Sequence, residues 1–376
     1  MSERFENVNL LRAFAATAVV VYHVIEYRQW KSFPIDGPLV TFRMGWIGVD
    51  LFYVISGFVI TWSALALWRA DPARFAGRYW ARRLARILPL YLVTCVLWVA
   101  LFKPDFFDHS VRGWLWQIVA HLTFTHTFSG RTFGSIDGVN WTLAIEMHFY
   151  LAVALLVPWI ARTPGWRIWL GCVAIAVTWR AAMYLILGPV PLDRLFFGVM
   201  QLPGVLDEFG AGMFLARIVD RGAGARPFAG LIWTAAAIVA GTLCMSLYWA
   251  HSSYWDVPGM VIFWRTLLGA FFLCVVAAAV RLPSFAESWP LQPLRYLGVV
   301  SYGIYLWHLF AVKYIQSAPG LTSLQALAVA LGLTLALAML SWHTFERPIL
   351  DWGRRFDGRS RLRTRPADAK GSGQIP

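Results

Sequence analysis

The sequence predicts an all-α polytopic membrane protein, a bundle of about ten transmembrane helices. Hydrophobic residues make up 59% of its 376 residues and charged residues only 14%, whereas soluble domains contain roughly 45–50% apolar and about 25% charged residues. Apolar stretches long enough to cross about 30 Å of hydrocarbon recur along the chain. Many of the 21 tryptophans lie near the ends of those stretches, as in the aromatic belts of membrane proteins.

The apolar stretches are predicted to be helices, because unpaired backbone polar groups are too costly in lipid. The stretch at 204–219 is short for a span and contains Asp207 and Glu208. The first stretch contains Arg12 and lacks a small-residue cleavage site, so we expect it to remain as a signal anchor. The predicted spans are 8–26, 44–67, 87–103, 139–160, 167–187, 204–219, 229–249, 259–280, 297–316 and 322–343.

The distribution of Lys and Arg between the connecting segments predicts that both termini are cytoplasmic. With that orientation the cytoplasmic segments hold 22 Lys and Arg residues and the outer segments hold 6, as the positive-inside rule requires. We therefore expect a transmembrane domain at 1–350 and a basic, disordered cytoplasmic tail at 351–376. The longest outer segment, 104–138, includes residues 111–128, which fit either an amphipathic helix on the surface or a segment that dips into the protein.

The net charge of +13 does not indicate nucleic-acid binding in this chain, because the cations cluster in short segments between spans. The four cysteines lie singly in apolar runs without metal-ligand or redox spacing, and we interpret them as packing residues. We therefore expect the lipid bilayer as a partner, no nucleic acid and no metal.

Two ionisable residues in the first span are functional candidates, because such residues are costly inside a membrane. Arg12 and His23 are 11 residues apart, so they lie on one helix face about 16 Å apart along the axis. Arg12 suits a phosphate or carboxylate because its donor fork is always charged. His23 suits a general base because its ordinary pKa is near neutrality. The alternative interpretation is an arginine and a histidine that both reach the membrane interfaces.

The second and third spans carry a glycine-rich and a basic segment. Residues 45–61 read GWIGVDLFYVISGFVIT, whose glycines allow close helix approach, with Asp50 as a polar group. Residues 82–89 read RRLARILP just before the third span. Their arginines either follow the positive-inside rule or bind a polyanionic cytosolic ligand such as coenzyme A: Arg82, Arg83 and Arg86.

Glu146 lies in NWTLAIEMHFY, residues 140–150, inside the fourth predicted span. A carboxylate there must find a partner or stay protonated. It is a candidate to orient a histidine or bind an acceptor hydroxyl, and the alternative is a structural pair with Arg180 or Arg265. Late in the chain, SYGIYLWH places His308 in the ninth predicted span, where both an interfacial and a catalytic interpretation remain open.

Together these segments resemble the membrane-bound acyltransferase 3 family. Arg12 and His23 match its Arg–ten residues–His pattern in the first span, and NWTLAIEMHFY matches its Trp-Ser/Thr-Leu-x-x-Glu motif, with Thr142 in the Ser/Thr position. The resemblance runs in the expected order from about residue 7 to 350. The further matching motifs are GVDLFYVISGF, RRLARILP, LGVVSYGIYLWH and FERP.

The resemblance implies a bacterial inner-membrane enzyme that transfers an acyl group, commonly acetyl, from cytosolic acyl-CoA to a hydroxyl of a carbohydrate-type acceptor. It implies His23 as catalytic base or acyl relay, Arg12 as a donor-binding residue and Glu146 as support for the site. The CoA phosphates would be held by Arg82, Arg83 and Arg86. Some members carry a soluble extracytoplasmic hydrolase-like domain after the last span, and we expect this chain to be a form without it.

Three other functions fit the same residues. A transporter or exporter of acyl or glycan groups also uses buried Arg, His and Glu, in proton relays, although we find no internal repeat of the kind common in transporters. A non-catalytic subunit of a glycan-assembly complex is the second. The third is another membrane acyltransferase family with its catalytic histidine in a late span, for which His308 is the candidate.

Overall fold

The computed structural model describes residues 5–34, 38–103, 105–106, 110–188, 192–220, 228–251, 254–284, 288–318 and 320–355. Within these residues the protein is all-helical, without a β-strand. Two π-helical segments, Met260–Trp264 and Trp342–Glu346, continue into neighbouring helices. The α-helices are α1 Asn7–Tyr27, α2 Ile47–Ala70, α3 Phe75–Phe102, α4 Val111–Leu122, α5 Trp141–Arg162, α6 Gly165–Leu187, α7 Leu192–Val199, α8 Leu206–Asp220, α9 Ala229–Ala250, α10 Arg265–Arg281, α11 Gln292–Val299, α12 Ser301–Ser317, α13 Ser323–Ser341 and α14 Arg347–Arg355.

The prediction of a multi-pass helical membrane protein is confirmed, and each predicted span corresponds to a helix. The sixth and ninth predicted spans correspond to the shorter helices α8 and α12. These have 15 and 17 residues, fewer than the roughly 20 that a complete crossing needs. Most of their residues are buried by other helices. Eight segments of the described chain are long and apolar enough to cross a membrane: Asn7–Tyr27, Ile47–Ala70, Phe75–Phe102, Trp141–Arg162, Gly165–Leu187, Ala229–Ala250, Met260–Arg281 and Ser323–Gly353.

Helix α3 begins at Phe75, twelve residues before the predicted span. The apolar run in the sequence marks only the part suited to hydrocarbon, whereas the 28-residue helix is about 42 Å long and extends beyond it. The arginines of the basic segment therefore project from a helix, with Arg82 and Arg86 one turn apart. At the other end of the chain, α14 ends at Arg355, and residues 356–376 of the expected tail lie outside the described residues.

Glycines bring α2 and α8 into close contact, as the second-span pattern predicted for its glycines. A Cβ on Gly212 would lie 2.5 Å from the backbone nitrogen of Phe58 and 2.8 Å from the carbonyl carbon of Gly57. A Cβ on Gly57 would in turn meet the backbone of Phe209. The two backbones therefore touch at this crossing, which fixes the position of α2 in the centre of the bundle.

Buried ion pairs join α2, α6, α8 and α10. Arg180 and Asp207 are both fully buried, with Nη2 and Oδ2 2.8 Å apart. Arg265 is paired with Asp50, and its Nη1 lies 3.7 Å from Oε1 of Glu208. Because both arginines that the sequence offers as partners for Glu146 are engaged with these carboxylates, Glu146 is left for another role.

The described part of segment 104–138, which the sequence predicts to be outer, combines both structures that its sequence allowed. The apolar face of α4 is exposed, as expected for a helix on a membrane surface, and Tyr91 on α3 donates a hydrogen bond to the carbonyl of His121. After α4 the chain turns inward, and His126 and Asp137 are fully buried. The exposed residues of α4 are Val111, Leu115, Trp116, Val119 and Leu122.

Candidate active site

Arg12 lies on the face of α1 that packs against α12. Its Nε donates a hydrogen bond to Oγ of Ser301 over 3.2 Å. Within the described residues neither Nη atom has a hydrogen-bond partner, and the side chain stays partly accessible. Arg12 interacts electrostatically with Arg86, Glu146 and Tyr150. The guanidinium is therefore held at one edge, with two donor groups available to a ligand.

Glu146 on α5 is bound by two hydroxyl groups at one oxygen. Ser56 Oγ donates to Oε1 over 2.5 Å, and Tyr150 OH donates to the same oxygen over 2.6 Å. No described residue bonds to Oε2, and the side chain is only half-buried. The carboxylate therefore keeps one accepting oxygen free near Arg12, and no hydrogen bond joins it to a histidine of the described chain.

Arg83 on α3 belongs to the same cluster as Glu146. Its Nη2 donates to Oγ of Ser63 over 3.1 Å, and its guanidinium lies 5.8 and 5.9 Å from the ring centres of Tyr79 and Tyr150. These aromatic faces stabilise the cation without neutralising it. The guanidinium thus stays available to an anion.

Arg86, one turn further along α3, faces the late segments of the chain. Its Nη1 lies 4.0 Å from Oε2 of Glu346, and its guanidinium is 5.4 Å from the ring centres of both Tyr302 and Trp342. The FERP motif thus contributes the carboxylate that orients Arg86. The structure places Arg82 on α3 beside Arg83 as a half-buried residue.

His23 pairs with a second histidine rather than with Glu146. Its Nδ1 lies 3.0 Å from the carbonyl oxygen of Val19 and 3.1 Å from Nε2 of His308, and the two rings are 4.8 Å apart. His308 is fully buried on α12, and its Nδ1 lies 2.5 Å from the carbonyl oxygen of Tyr305. His23 itself is only half-buried.

The Arg12–His23 face of α1 therefore lies against α12. Arg12 meets Ser301 and His23 meets His308, so the two helices run parallel. The pairs are 11 residues apart on α1 and 7 on α12, about 16 and 10 Å along the axes. The length of the arginine side chain compensates for the difference.

The pairing of His308 and Ser301 with the first span was not predicted from the sequence. A signal was present, because residues 7 apart lie on one helix face, as do residues 11 apart. Two such faces, one on α1 and one on α12, match each other in chemistry. What the sequence lacked was evidence that these two helices are neighbours.

The buried chain between α4 and α5 lies close to the pair formed by His23 and His308. Asp137 interacts electrostatically with Tyr27 and Tyr305, whose rings flank His23 and His308. Burial raises the pKa of the Asp137 carboxyl to about 7. Across the described chain, no three His, Cys, Asp or Glu side chains are grouped as metal ligands.

A family model described as an acyltransferase domain matches residues 5–343 of the chain. The protein YrhL of Bacillus subtilis (strain 168) is 29% identical over 374 residues, which cover 92% of this chain and 55% of YrhL. The peptidoglycan O-acetyltransferase OatA of Listeria monocytogenes is 26% identical over 376 residues, covering 91% of this chain and 55% of its own length.

The O-acetyltransferase OatA of Staphylococcus aureus is also 26% identical, over 364 residues that cover 90% of this chain and 56% of the relative. The chain thus spans just over half the length of the curated relatives it matches. No solved structure is significantly similar to it.

Proposed function

Because this chain belongs to the membrane-bound acyltransferase 3 family, whose model matches residues 5–343, we propose that it is an O-acyltransferase of the bacterial inner membrane. In this proposal it moves an acetyl group from cytosolic acetyl-CoA to a hydroxyl of a carbohydrate acceptor. The acetyl group follows the O-acetyltransferases of Listeria monocytogenes and Staphylococcus aureus, and the peptidoglycan acceptor follows the Listeria monocytogenes enzyme. The donor is proposed from the chemistry of the arginine cluster.

One observation carries the proposal: a partly accessible imidazole and a partly accessible guanidinium share one face of α1 in the interior of a helical bundle. Charged and titratable side chains at such depth are costly, and they persist where a polar substrate passes. The separation of about 16 Å between Arg12 and His23 suits an extended ligand with anionic groups at one end and a reactive group at the other.

The arginine cluster supports a donor with several phosphates. Arg12 offers two unpaired Nη groups and interacts electrostatically with Arg86, and Arg83 lies over the rings of Tyr79 and Tyr150. Arginine binds phosphate through two parallel hydrogen bonds, which favours it over lysine where orientation matters. We propose that Arg12, Arg83 and Arg86, with Arg82 at the edge, bind the diphosphate and 3′-phosphate of CoA.

We propose His23 as the catalytic base, acting through Nε2. It removes the proton from the acceptor hydroxyl as that oxygen forms a bond to the thioester carbonyl carbon. The C–S bond then breaks, and the thiolate of CoA takes the same proton back from Nε2. No net proton is gained or lost, so a single imidazole serves both steps.

Glu146 supports the site through its charge. Since Ser56 and Tyr150 both donate to Oε1, that oxygen is engaged, and Oε2 remains an acceptor. We propose that the negative charge of Glu146 attracts the guanidinium of Arg12 towards the site that receives the donor phosphates. This role differs from the sequence hypothesis that Glu146 orients a histidine.

The test is acetyl transfer by purified protein in lipid nanodiscs, with labelled acetyl-CoA and O-deacetylated peptidoglycan fragments. Loss of the base in His23→Ala is expected to reduce kcat by at least about a hundredfold, the range that general base catalysis contributes. The matched control is His251→Ala, which removes an exposed histidine at the end of α9.

Two results would remove the proposed function. Full activity of His23→Ala at equal abundance would exclude His23 from the mechanism. Failure of the wild type to release CoA in an acceptor-dependent way would favour transport over transfer, because a transporter does not cleave the thioester.

A further inference from the structure

His308 is buried at the centre of the bundle and has a partner that the proposed reaction uses. Its side chain is fully enclosed on α12, and its Nε2 lies 3.1 Å from Nδ1 of His23. The other rings in contact with His23 are those of Tyr22 and Tyr27. His308 is thus the imidazole that directly contacts the proposed base.

The position of the proton on His308 follows from its other contact. Its Nδ1 lies 2.5 Å from the carbonyl oxygen of Tyr305, and a carbonyl oxygen only accepts hydrogen bonds. Nδ1 must therefore carry a hydrogen. In the neutral imidazole Nε2 then carries the lone pair, so His308 presents an acceptor to His23.

The same reasoning fixes the proton on His23. Its Nδ1 faces two acceptors, Nε2 of His308 and the carbonyl oxygen of Val19 at 3.0 Å. Nδ1 of His23 therefore carries the hydrogen, and Nε2 keeps the lone pair. Within the described chain nothing bonds to that Nε2, and His23 is partly accessible.

We propose that His308 is a positioning residue that, together with the carbonyl oxygen of Val19, holds His23 in the Nδ1-protonated form and leaves Nε2 as the basic atom. This inference rests on the proposed function. When Nε2 of His23 takes the proton of the acceptor hydroxyl, the positive charge that develops on the ring is stabilised by the lone pair of His308. The proton leaves with the CoA thiol, and the pair returns to its starting state.

The experiment compares two substitutions of similar size. His308→Gln offers an amide oxygen near the position of Nε2, whereas His308→Met fills the space without an acceptor. We expect kcat to fall about ten- to a hundredfold in His308→Met and less than about fivefold in His308→Gln, with the KM for acetyl-CoA nearly unchanged in both. Thermal unfolding of each variant in the same nanodiscs controls for folding.

Equal activity of the two variants would overturn the proposal, whether both retain or both lose it, because packing alone would then explain His308. A second measurement does not depend on turnover. In ¹⁵N-histidine NMR spectra, with the His23 signals assigned by their absence in His23→Gln, we expect Nε2 of His23 to be unprotonated in the wild type.

The two measurements separate this inference from the proposed function. A protonated Nε2 in wild-type His23 would overturn the role of His308 even if acetyl transfer were observed. An unprotonated Nε2 in a protein that transfers no acetyl group would contradict the proposed function. The inferred positions of the protons on the two histidines would still be correct.

Discussion

Arg12 is held by a single hydrogen bond from Nε to Ser301, and this geometry decides what a substitution does. In Arg12→Lys the charge remains but the two parallel donors are lost. We expect the KM for acetyl-CoA to rise about tenfold while kcat changes little, because the loss of one charge-assisted hydrogen bond costs about 1.5–3 kcal/mol in binding. Initial rates over a range of acetyl-CoA concentrations measure both constants.

The control for Arg12→Lys is Ser301→Ala, which removes the hydroxyl beside Nε and leaves both Nη atoms in place. We expect a smaller rise in the KM for acetyl-CoA than in Arg12→Lys. A fall in kcat without a change in KM would contradict the assignment of Arg12 to the donor, because it would place the guanidinium at the reacting atoms.

At the residue scale the sequence predicted those site residues whose side-chain type is unusual for their surroundings. An arginine, a histidine and a glutamate inside apolar runs are conspicuous because of their cost in lipid, so Arg12, His23 and Glu146 were candidates at once. Their contacts with other helices were not predictable. Ser56 meets Glu146 only because α2 and α5 pack together, and no pattern along one chain segment reports that. Tyr150 lies four residues after Glu146 on the same helix, so that contact follows from helix periodicity.

Close packing of helix backbones positions the helices relative to one another. A substitution at the crossing of α2 and α8 tests this. Gly212→Ala would place a methyl group against the backbones of Gly57 and Phe58. Such overpacking costs about 1–3 kcal/mol, which exceeds the gain of about 1 kcal/mol from replacing glycine in a helix. We expect Gly212→Ala to unfold at a lower temperature in detergent than the wild type.

The matched control is Gly332→Ala in α13, where a Cβ meets no atom within 4 Å. That variant is expected to unfold at the wild-type temperature or above it. If Gly212→Ala were as stable as Gly332→Ala, the backbones of α2 and α8 would not be in contact at this crossing.

At the element scale hydropathy predicted the existence of helices better than their ends. The first residues of α3 are too polar to register as a span, yet they continue the same helix, so the basic segment was assigned to a connection. The sequence predicted one helix for the ninth span, but the structure has two, because α11 ends just before Val300 and α12 begins just after it. Burial by neighbours explains α8 and α12, because a helix surrounded by protein need not match the bilayer thickness.

At the scale of the whole molecule, the side of the membrane that each segment faces connects the arginine cluster to its proposed donor. Arg12 lies near the start of α1, and Arg83 and Arg86 lie in the first half of α3. If both termini are cytoplasmic, as the Lys and Arg distribution predicts, this cluster faces the cytosol, where acyl-CoA is made. The histidine pair then lies deeper, towards the side of a surface glycan.

Labelling of single cysteines tests this orientation. Ala73 is exposed in the connection before α3, and Gly130 is exposed in the outer segment without a neighbour within 4 Å of its Cβ position. In intact spheroplasts a membrane-impermeant maleimide is expected to react with Gly130→Cys, and with Ala73→Cys only after lysis. The background carries Cys274→Ser, because the other three natural cysteines are buried.

The opposite labelling pattern would have a specific consequence for the function. It would place the arginine cluster on the outer side, where no CoA thioester is supplied, while leaving the contacts between α1 and α12 unchanged. The donor would then have to be an anionic acyl carrier outside the cytosol, since the guanidinium groups would still require an anion. Labelling of Gly130→Cys from outside together with protection of Ala73→Cys is therefore the result on which the cytosolic donor depends.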